Sequence, residues 1–467
     1  MGIKTEVQCG VVSRALDPAR PDGTRIDVHY VVVPALARRK RPDPVFFLAG
    51  GPGQSAIQVA PVMLQLWARL NNRRDLVFVD QRGTGRSAPL KCADQRHRPL
   101  AEQLDVALRD ASIRQCLAEL KKLPHGDLRQ FTTLLAMQDL DAVRQTLGAT
   151  TINLVGASYG TRAALEYMRQ FPHAVRRSVL DGVAPPDMVL PLSFSTDGQT
   201  SLNALLDVCD REAACRAAHP GLRAAWSRLL ATLPQSMAVT HPLTGAKEQL
   251  TITRETVLGL VRSSLYSPVA ASALPFAIGE AASGKLNALI GLSVGSESRR
   301  AGELAWGMHF SVLCAEDYPR MQQSGGATEA TDAPGMDFGV EFGRFYARIC
   351  ADWPRADVPA AFYAVPPTPA STLLLSGDLD PVTPPRHGER IAKALGSKAR
   401  HVAVPNAGHG VMALGCMRDV VVRFIDAVDD GAATEIDTRC VGRIPRPPAF
   451  VPLATADGDS ADVRTAP

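Results

Sequence analysis

The sequence lacks any long apolar run, any basic tract and any recognisable leader. No stretch of its 467 residues approaches the roughly 20 apolar residues that a membrane-spanning helix needs, so we expect no membrane span. The first nine residues contain no apolar segment, and the chain as given is expected to carry no signal peptide. The net charge is only +4, with no basic run interleaved with aromatic residues, which argues against a nucleic-acid partner.

The nine cysteines include no C-x-x-C pair, and we predict no metal site. Scattered cysteines are common as buried core thiols, and they are equally compatible with disulfides. Spacing alone does not reveal how such residues pair. Composition therefore leaves the redox compartment open.

The order of apolar segments predicts an α/β fold. Short apolar runs at 45–48, 76–79 and 152–155 indicate buried strands, and helical spacing over 132–147 and 161–170 indicates helices between and after them. Strands that alternate with helices favour a mostly parallel sheet with helices on both faces. With 46% hydrophobic and 21% charged residues, the chain has the composition of an ordinary globular protein.

A long helical block interrupts this alternation. Helical segments dominate from about residue 188 to 370, and alternation then resumes with strands predicted at 372–375 and 400–404. We interpret the block as a cap inserted into a catalytic core. The predicted divisions are a first part of the core (1–187), the helical cap (188–370), a second part of the core (371–442) and an extended or disordered tail (443–467).

The strongest chemical signal is the sequence GASYG at 156–160. In a G-x-S-x-G motif the serine occupies a sharp turn between a strand and a helix, where its hydroxyl is exposed at the edge of the sheet. Here an apolar strand precedes the motif and a helix follows it. Ser158 is therefore the predicted nucleophile.

A serine hydroxyl needs a base to remove its proton, and the base needs an orienting carboxylate. In this arrangement the acid follows the serine along the chain and the histidine comes last. Asp380 in GDLDP and His409 in NAGHG satisfy that order, and each follows a predicted strand. Asp378 is the competing acid, with the capping of a turn as its other role.

The developing oxyanion also needs donors. One is the backbone N–H after the nucleophile, on Tyr159, and the other is expected from AGGPG at 49–53, here called the oxyanion turn. Pro52 has no N–H, so Gly51 or Gly50 must donate. We interpret the DQRG segment at 80–83 as a structural brace for this turn.

Six segments resemble, in chain order, those of the proline-iminopeptidase and tripeptidyl-aminopeptidase family of serine peptidases: LAGGPGQSA, DLVFVDQRGTGRS, INLVGASYGTRAALEY, SVLDGV, GDLDPVTP and NAGHG. The resemblance implies an α/β-hydrolase fold with an inserted helical cap, no cofactor, and release of amino-terminal residues or di- and tripeptides from small peptide substrates. It assigns Ser158 as nucleophile, Asp380 as acid and His409 as base, with Gly51 and Tyr159 as oxyanion donors.

Within that family the chain looks closer to the secreted tripeptidyl branch. Ala49 stands where many proline iminopeptidases have histidine, which weakens any expectation of proline specificity. The branch carries paired cysteines, and the resemblance implies a periplasmic or secreted location, with a cytoplasmic one as the alternative. The implied pairs are Cys92–Cys116, Cys209–Cys215, Cys314–Cys350 and Cys416–Cys440, which leave Cys9 alone.

An aminopeptidase must also bind a free α-ammonium group, most directly with carboxylates in a partly dry pocket. The candidates in the predicted cap are Glu303, Glu316 and Asp317, with Trp306 and Phe310 as candidates to line a side-chain pocket. Each could equally be a solvated or core residue.

Two other functions remain open: a carboxylesterase on the same scaffold, and a non-catalytic binding protein of this fold.

Overall fold

The computed structural model describes residues 5–298, 303–323 and 337–452. The strands in these residues are β1 (Gln8–Ala15), β2 (Arg25–Val33), β3 (Val45–Leu48), β4 (Leu76–Val79), β5 (Ile152–Ala157), β6 (Val175–Asp181), β7 (Gln235–Thr240), β8 (Lys247–Ile252), β9 (Ser371–Gly377) and β10 (Ala399–Val404). The helices before and after β5 are α1 (Ala56–Leu66), α2 (Ala68–Asn71), α3 (Leu100–Leu104), α4 (Val106–Leu120), α5 (Thr133–Thr146) and α6 (Tyr159–Gln170).

Most of the other helices lie between β6 and β9. They are α7 (Leu190–Arg211), α8 (Ala213–Ala218), α9 (Leu222–Ala231), α10 (Arg254–Leu265), α11 (Pro268–Ala271), α12 (Leu274–Ala282), α13 (Asn287–Ser298), α14 (Trp306–Glu316), α15 (Tyr318–Gln323) and α16 (Glu341–Cys350). The last three are α17 (Pro385–Leu395), α18 (Met417–Asp426) and α19 (Asp430–Thr434).

Eight of the strands form one sheet in the order β1-β2-β4-β3-β5-β6-β9-β10. β2 runs antiparallel to both of its neighbours, and the remaining pairs are parallel. The predicted α/β class with a mostly parallel sheet is confirmed.

Alternate residues of the central strands enter different cores, which is why helices cover both faces. Val45 and Phe47 of β3 belong to a buried cluster with residues of α1 and α18. Phe46 and Leu48 belong to a second cluster with residues of α5 and α6. Successive side chains of a strand point to opposite faces, so four consecutive apolar residues bury a strand on both sides.

The inserted block comprises α7–α16 with β7 and β8. Its first part packs around a hydrophobic cluster to which α7, α9, α10, α12 and α13 contribute, together with Leu100 of α3. Helices dominate as predicted, but β7 and β8 form an antiparallel pair that the sequence analysis did not include. The domain boundaries at 187, 370 and 442 stay predictions, and residues 453–467 of the predicted tail lie outside the described residues.

Four disulfides join the cysteines in the pairs that the resemblance implied, and this prediction is confirmed. They are Cys92–Cys116, Cys209–Cys215, Cys314–Cys350 and Cys416–Cys440. Cys9 in β1 is an exposed free thiol. Several disulfides in one chain are typical of proteins from oxidising compartments.

No helix within the described ranges combines the length and apolar character needed to cross a membrane. Over the same part of the chain, no group of three or more His, Cys, Asp or Glu side chains is arranged to hold a metal ion.

The disulfides differ in the loops they close, which predicts a ranking of their effects on stability. Cys314 and Cys350 are 36 residues apart, whereas Cys209 and Cys215 are 6 apart. By the entropy of loop closure, replacing the first pair by alanines should lower the free energy of unfolding by about 4 kcal/mol, and replacing the second pair by about 2 kcal/mol. Urea unfolding of the two double variants measures this. A larger loss for the shorter loop would contradict the loop-closure account.

Candidate active site

The predicted nucleophile lies on a strained turn between a strand and a helix. Ser158 follows the last residue of β5 and precedes the first residue of α6, with φ +55° and ψ −124°. A residue other than glycine rarely adopts this conformation, and such strain often marks functional sites. The strand–serine–helix arrangement is the one that presents a nucleophile at the edge of an α/β sheet.

Close backbone packing explains both glycines of the motif. A Cβ atom on Gly156 would lie 2.4 Å from the carbonyl oxygen of Gly160, and one on Gly160 would lie 2.1 Å from that of Leu48. Both distances are far below van der Waals contact, so only glycine fits. The oxyanion turn is equally close to the serine, because a Cβ on Gly50 would lie 3.1 Å from the Cβ of Ser158.

Asp380 and His409 meet beyond the carboxyl ends of the paired strands β9 and β10. The Nδ1 atom of His409 lies 2.7 Å from Oδ2 of Asp380. The side chain of Asp380 is buried and that of His409 is 13% exposed, whereas Asp378 is exposed. Of the two candidate acids, Asp380 is the one that contacts the histidine.

Hydrogen bonds favour the ionised form of Asp380. Its Oδ1 accepts from the backbone N–H groups of Val382 and Thr383, and its Oδ2 accepts from the hydroxyl of Thr383. Burial by itself would raise the pKa of Asp380, but His409 and these donors outweigh burial and hold that pKa below its usual value. Because an ionised carboxylate only accepts, the Nδ1 atom of His409 carries a proton, and Nε2 of a neutral ring carries the lone pair.

A buried aspartate that the sequence analysis did not single out joins the turn that carries Ser158 (the serine turn) to the loop that carries His409 (the histidine loop). The backbone oxygen of Asp181, at the end of β6, accepts from the N–H of Ser158 at 2.8 Å. Its carboxylate accepts from the N–H groups of Val411 and Met412, each at 2.9 Å. These two residues follow His409 closely, so one side chain fixes the loop that carries the histidine.

The next residue, Gly182, packs against the predicted acid–base pair. A Cβ atom on Gly182 would lie 3.1 Å from Cε1 of His409 and 3.1 Å from the hydroxyl of Thr383. The end of β6 is therefore in contact with all three loops that carry predicted catalytic residues. The available sequence signal was SVLDGV, in which an acid ends a buried strand at the carboxyl edge of the sheet.

The core supports the oxyanion turn through Asp80. Its Oδ1 accepts from the hydroxyl of Ser55 at 2.5 Å and from the N–H of Ile57 at 3.1 Å, so it fixes the start of α1 directly after the turn. Arg82 stabilises a different helix. It pairs with Asp139 at 2.7 Å and thereby holds α5.

The inserted block contacts the same turn from the other side. The N–H of Ala305 donates to the oxygen of Gly53 at 2.9 Å. Nδ1 of His309 lies 3.0 Å from the oxygen of Pro52, and Nε2 lies 2.9 Å from the hydroxyl of Tyr346. Burial lowers the pKa of His309 to about 4, so the ring is neutral near neutral pH. A carbonyl only accepts, and His309 therefore donates to Pro52 and accepts from Tyr346.

Two of the predicted substrate-binding carboxylates have partners inside the protein. Asp317 is buried and pairs with Arg162 at 2.9 Å. Glu316 accepts from the N–H and hydroxyl of Thr133, which also bonds to the hydroxyl of Tyr159 at 2.6 Å. Burial raises the pKa of Glu316 to about 8. These contacts favour structural roles for both carboxylates over the binding of an incoming amine.

Glu303 and Trp306 lie beside the oxyanion turn at the surface. Trp306 is 44% exposed, and the N–H of Glu303 donates to the side chain of Gln58. The carboxylate of Glu303 lies 3.4 Å from the ammonium of Lys91, and both side chains reach solvent. Phe310, in contrast, is buried among other aromatic rings.

The chain matches one protein-family model over most of its length. Residues 43–415 match the model described as the alpha/beta hydrolase fold. The matched range includes the oxyanion turn, the serine turn and the loops that carry Asp380 and His409.

Three relatives with assigned names have sequence identities of 25% to 31%. Serine protease Hip1 of Mycobacterium tuberculosis is 25% identical over 412 residues, which cover 83% of this chain and 79% of that protein. The tripeptidyl aminopeptidase of Streptomyces lividans is 31% identical over 197 residues, which cover 38% of this chain and 36% of the relative. Carboxylesterase B of Mycobacterium tuberculosis is 27% identical over 438 residues, which cover 84% of this chain and 78% of that protein.

Replacing Asp181 by asparagine is expected to change how stability depends on pH. Burial raises the pKa of this carboxyl from 3.8 to about 6, so the folded protein keeps the proton to a higher pH than the unfolded chain does. Between about pH 4 and pH 6 the folded state binds more protons, and the stability contributed by this group falls as pH rises. Each unit of pKa difference corresponds to about 1.4 kcal/mol of folding free energy. The change from 3.8 to about 6 therefore lowers the free energy of unfolding by about 3 kcal/mol in total as the pH rises.

Urea unfolding of the wild type and Asp181→Asn across this range tests the expectation. The wild type should lose about 3 kcal/mol relative to the variant between about pH 3 and pH 7, with about 2 kcal/mol of that loss between pH 4 and pH 6. Asp207→Asn removes an exposed carboxylate of α7 and serves as the control. A wild-type-to-variant difference that is independent of pH would contradict the expectation.

Proposed function

The chain belongs to the alpha/beta hydrolase fold family, and from that premise we propose that it is a serine peptidase that releases amino-terminal residues or short peptides from small peptide substrates. The single observation that carries the proposal is the 2.7 Å contact between Asp380 and His409, which lies at the same sheet edge as the strained turn of Ser158. The names of Hip1 and of the tripeptidyl aminopeptidase support a peptidase among the many activities of this fold.

In the proposed acylation step, the hydroxyl oxygen of Ser158 attacks the substrate carbonyl. Nε2 of His409 takes the serine proton as the new carbon–oxygen bond forms, and the buried carboxylate of Asp380 stabilises the resulting imidazolium. The tetrahedral intermediate then expels the amine of the remaining peptide, which receives that proton from His409. An acyl-enzyme is left on Ser158.

The backbone N–H groups of Gly51 and Tyr159 are the proposed donors to the oxyanion. The N–H groups in the first turn of a helix have no partner within that helix, which leaves the N–H of Tyr159 at the start of α6 available. Gly51 follows Gly50, whose backbone crowds Ser158.

In the proposed deacylation step, water attacks the carbonyl carbon of the acyl-enzyme and gives a proton to Nε2 of His409. The bond between that carbon and the Ser158 oxygen then breaks, His409 returns the proton to this oxygen, and the carboxylic acid product leaves. Neither step calls for a metal or cofactor.

Glu303 is the proposed partner of the substrate ammonium. It differs from Glu316 and Asp317 because its carboxylate reaches solvent beside the oxyanion turn. Trp306 offers an exposed ring three residues away and is the proposed wall of the side-chain pocket. Four disulfides support a periplasmic or secreted location for this activity.

A carboxylesterase is the second candidate function. The similarity to carboxylesterase B extends over most of both chains, and the same three residues serve ester and amide hydrolysis alike. The two functions differ in the requirement for a free substrate amine. A non-catalytic binding protein would have no reactive serine.

Reactivity with a fluorophosphonate probe tests the nucleophile. The wild type should be labelled and Ser158→Ala should not, because the probe reacts only with an activated serine. His409→Gln and Asp380→Asn should slow labelling by about a thousandfold or more. Ser236→Ala, on β7 of the inserted block, is the control and should label like the wild type. Absence of labelling in folded wild-type protein would favour the binding-protein alternative.

Substrates with free and blocked amines test the peptidase assignment. Alanyl tripeptide p-nitroanilide should be cleaved about a hundredfold more efficiently than its N-acetyl form, because acetylation removes the charge that Glu303 binds. Glu303→Gln should raise KM for the free amine about tenfold and leave the acetylated substrate nearly unaffected. Glu280→Gln is a matched control, since Glu280 also pairs with a lysine at a similar exposure. Equal turnover of blocked and free substrates would favour the esterase.

A further inference from the structure

A cation surrounded by aromatic rings lies in the inserted block. The guanidinium carbon of Arg262, on α10, lies 4.9 Å from the ring centre of Phe194, 4.6 Å from that of Phe342 and 5.8 Å from that of Tyr266. Its NH1 group donates to the hydroxyl of Tyr266 at 3.2 Å. Helices α7, α10 and α16 each contribute to this cluster, which we call the Arg262 cluster (Phe194, Arg262, Tyr266 and Phe342).

No acidic partner accompanies this cation within the described part of the chain. There, no Asp or Glu oxygen lies within 4.0 Å of the guanidinium of Arg262, and its buried Nε has no hydrogen-bond acceptor. Arg109, which lies over Phe345 at 4.6 Å, pairs with Glu255 at 2.5 Å. A partly buried cation without a counter-ion is costly, and aromatic faces compensate only part of that cost.

The Arg262 cluster is next to the predicted catalytic base. The backbone oxygen of Tyr266 accepts from the N–H of His409 at 2.9 Å, and the two rings meet edge to face with centres 5.1 Å apart. Phe194, Phe342, Tyr266 and Arg262 are all partly exposed, so solvent reaches part of the cluster. In a peptide bound at Ser158 and His409, a residue only a few positions from the scissile bond would reach the Arg262 cluster.

We propose that the Arg262 cluster is a subsite for a substrate carboxylate. This proposal rests on the proposed peptidase function and names the substrate class: peptides with a carboxylate near the cleaved bond. The guanidinium carbon lies over the ring faces, and NH1 donates to the hydroxyl of Tyr266. A guanidinium can offer two N–H groups to one carboxylate at once, which makes a carboxylate the best-matched ligand. The carboxylate comes either from the carboxyl terminus of a short peptide or from an acidic side chain.

Binding to a protein that cannot turn over separates this proposal from the proposed catalysis. Calorimetry with Ser158→Ala would compare trialanine with its carboxyl-terminal amide, and Ala-Asp-Ala amide with Ala-Asn-Ala amide. The first pair tests a terminal carboxylate and the second an acidic side chain. We expect the carboxylate form of at least one pair to bind about tenfold more tightly, with a preference that weakens as salt is added. Failure of the wild type to cleave peptides would refute the peptidase function alone.

Substitutions in the Ser158→Ala background assign the preference to one side chain. Arg262→Gln should abolish it, whereas Arg262→Lys should retain part, because a lysine keeps the charge without the planar fork. Arg109→Gln is the matched control and should retain all of it. Equal affinity within both pairs, no peptide binding, or a preference that survives in Arg262→Gln would each overturn the proposal. If Arg262→Gln does not fold, full retention in Arg262→Lys together with insensitivity to salt would overturn it.

Discussion

The candidate site depends on a carboxylate buried at the carboxyl end of β6. Parallel strands bring loops to one edge of a sheet, but they do not by themselves fix those loops relative to one another. Asp181 supplies that link, because its backbone oxygen binds the N–H of Ser158 while its side chain binds two N–H groups just beyond His409. Without this tie, the histidine loop would be joined to the serine turn mainly by packing.

The inserted block is part of the same geometry. His309 and Ala305 hold the carbonyl groups of Pro52 and Gly53, so the oxyanion turn lies between α1 on the core side and α14 on the other. Arg162, on the helix that follows Ser158, is fully buried and pairs with Asp317 at the end of α14. Removing either partner of such a pair leaves an uncompensated buried charge. The position of the turn that contains the proposed oxyanion donor Gly51 is therefore coupled to the folding of α14.

Local sequence patterns predicted the elements whose residues are buried on both faces. β3 and β4 begin and end where their apolar runs do, because VFFL and LVFV have no polar residue to blur the boundary. The edge strand β1 was not predicted, since its exposed polar residues leave no continuous apolar run. The β7–β8 pair was missed for a similar reason, because at least half of the residues of each strand are exposed. The contact between Asp380 and His409 was predictable only because chain order and loop position restrict the choices.

Burial, which the sequence does not state, decides which charged residues are available to a ligand. Glu316 and Asp317 were candidate ligands for an amine because they are carboxylates in the predicted cap, yet both are buried against donors of the core. The sequence did not predict a site at Arg262, because the rings that surround it come from helices that are distant along the chain. A buried acidic group whose hydrogen-bond and ion-pair partners lie inside the protein has little capacity left to bind a ligand. Among the described residues, the guanidinium of Arg262 is flanked by aromatic rings beside His409 and has no carboxylate partner, which is the physical basis for proposing it as a site for a substrate carboxylate.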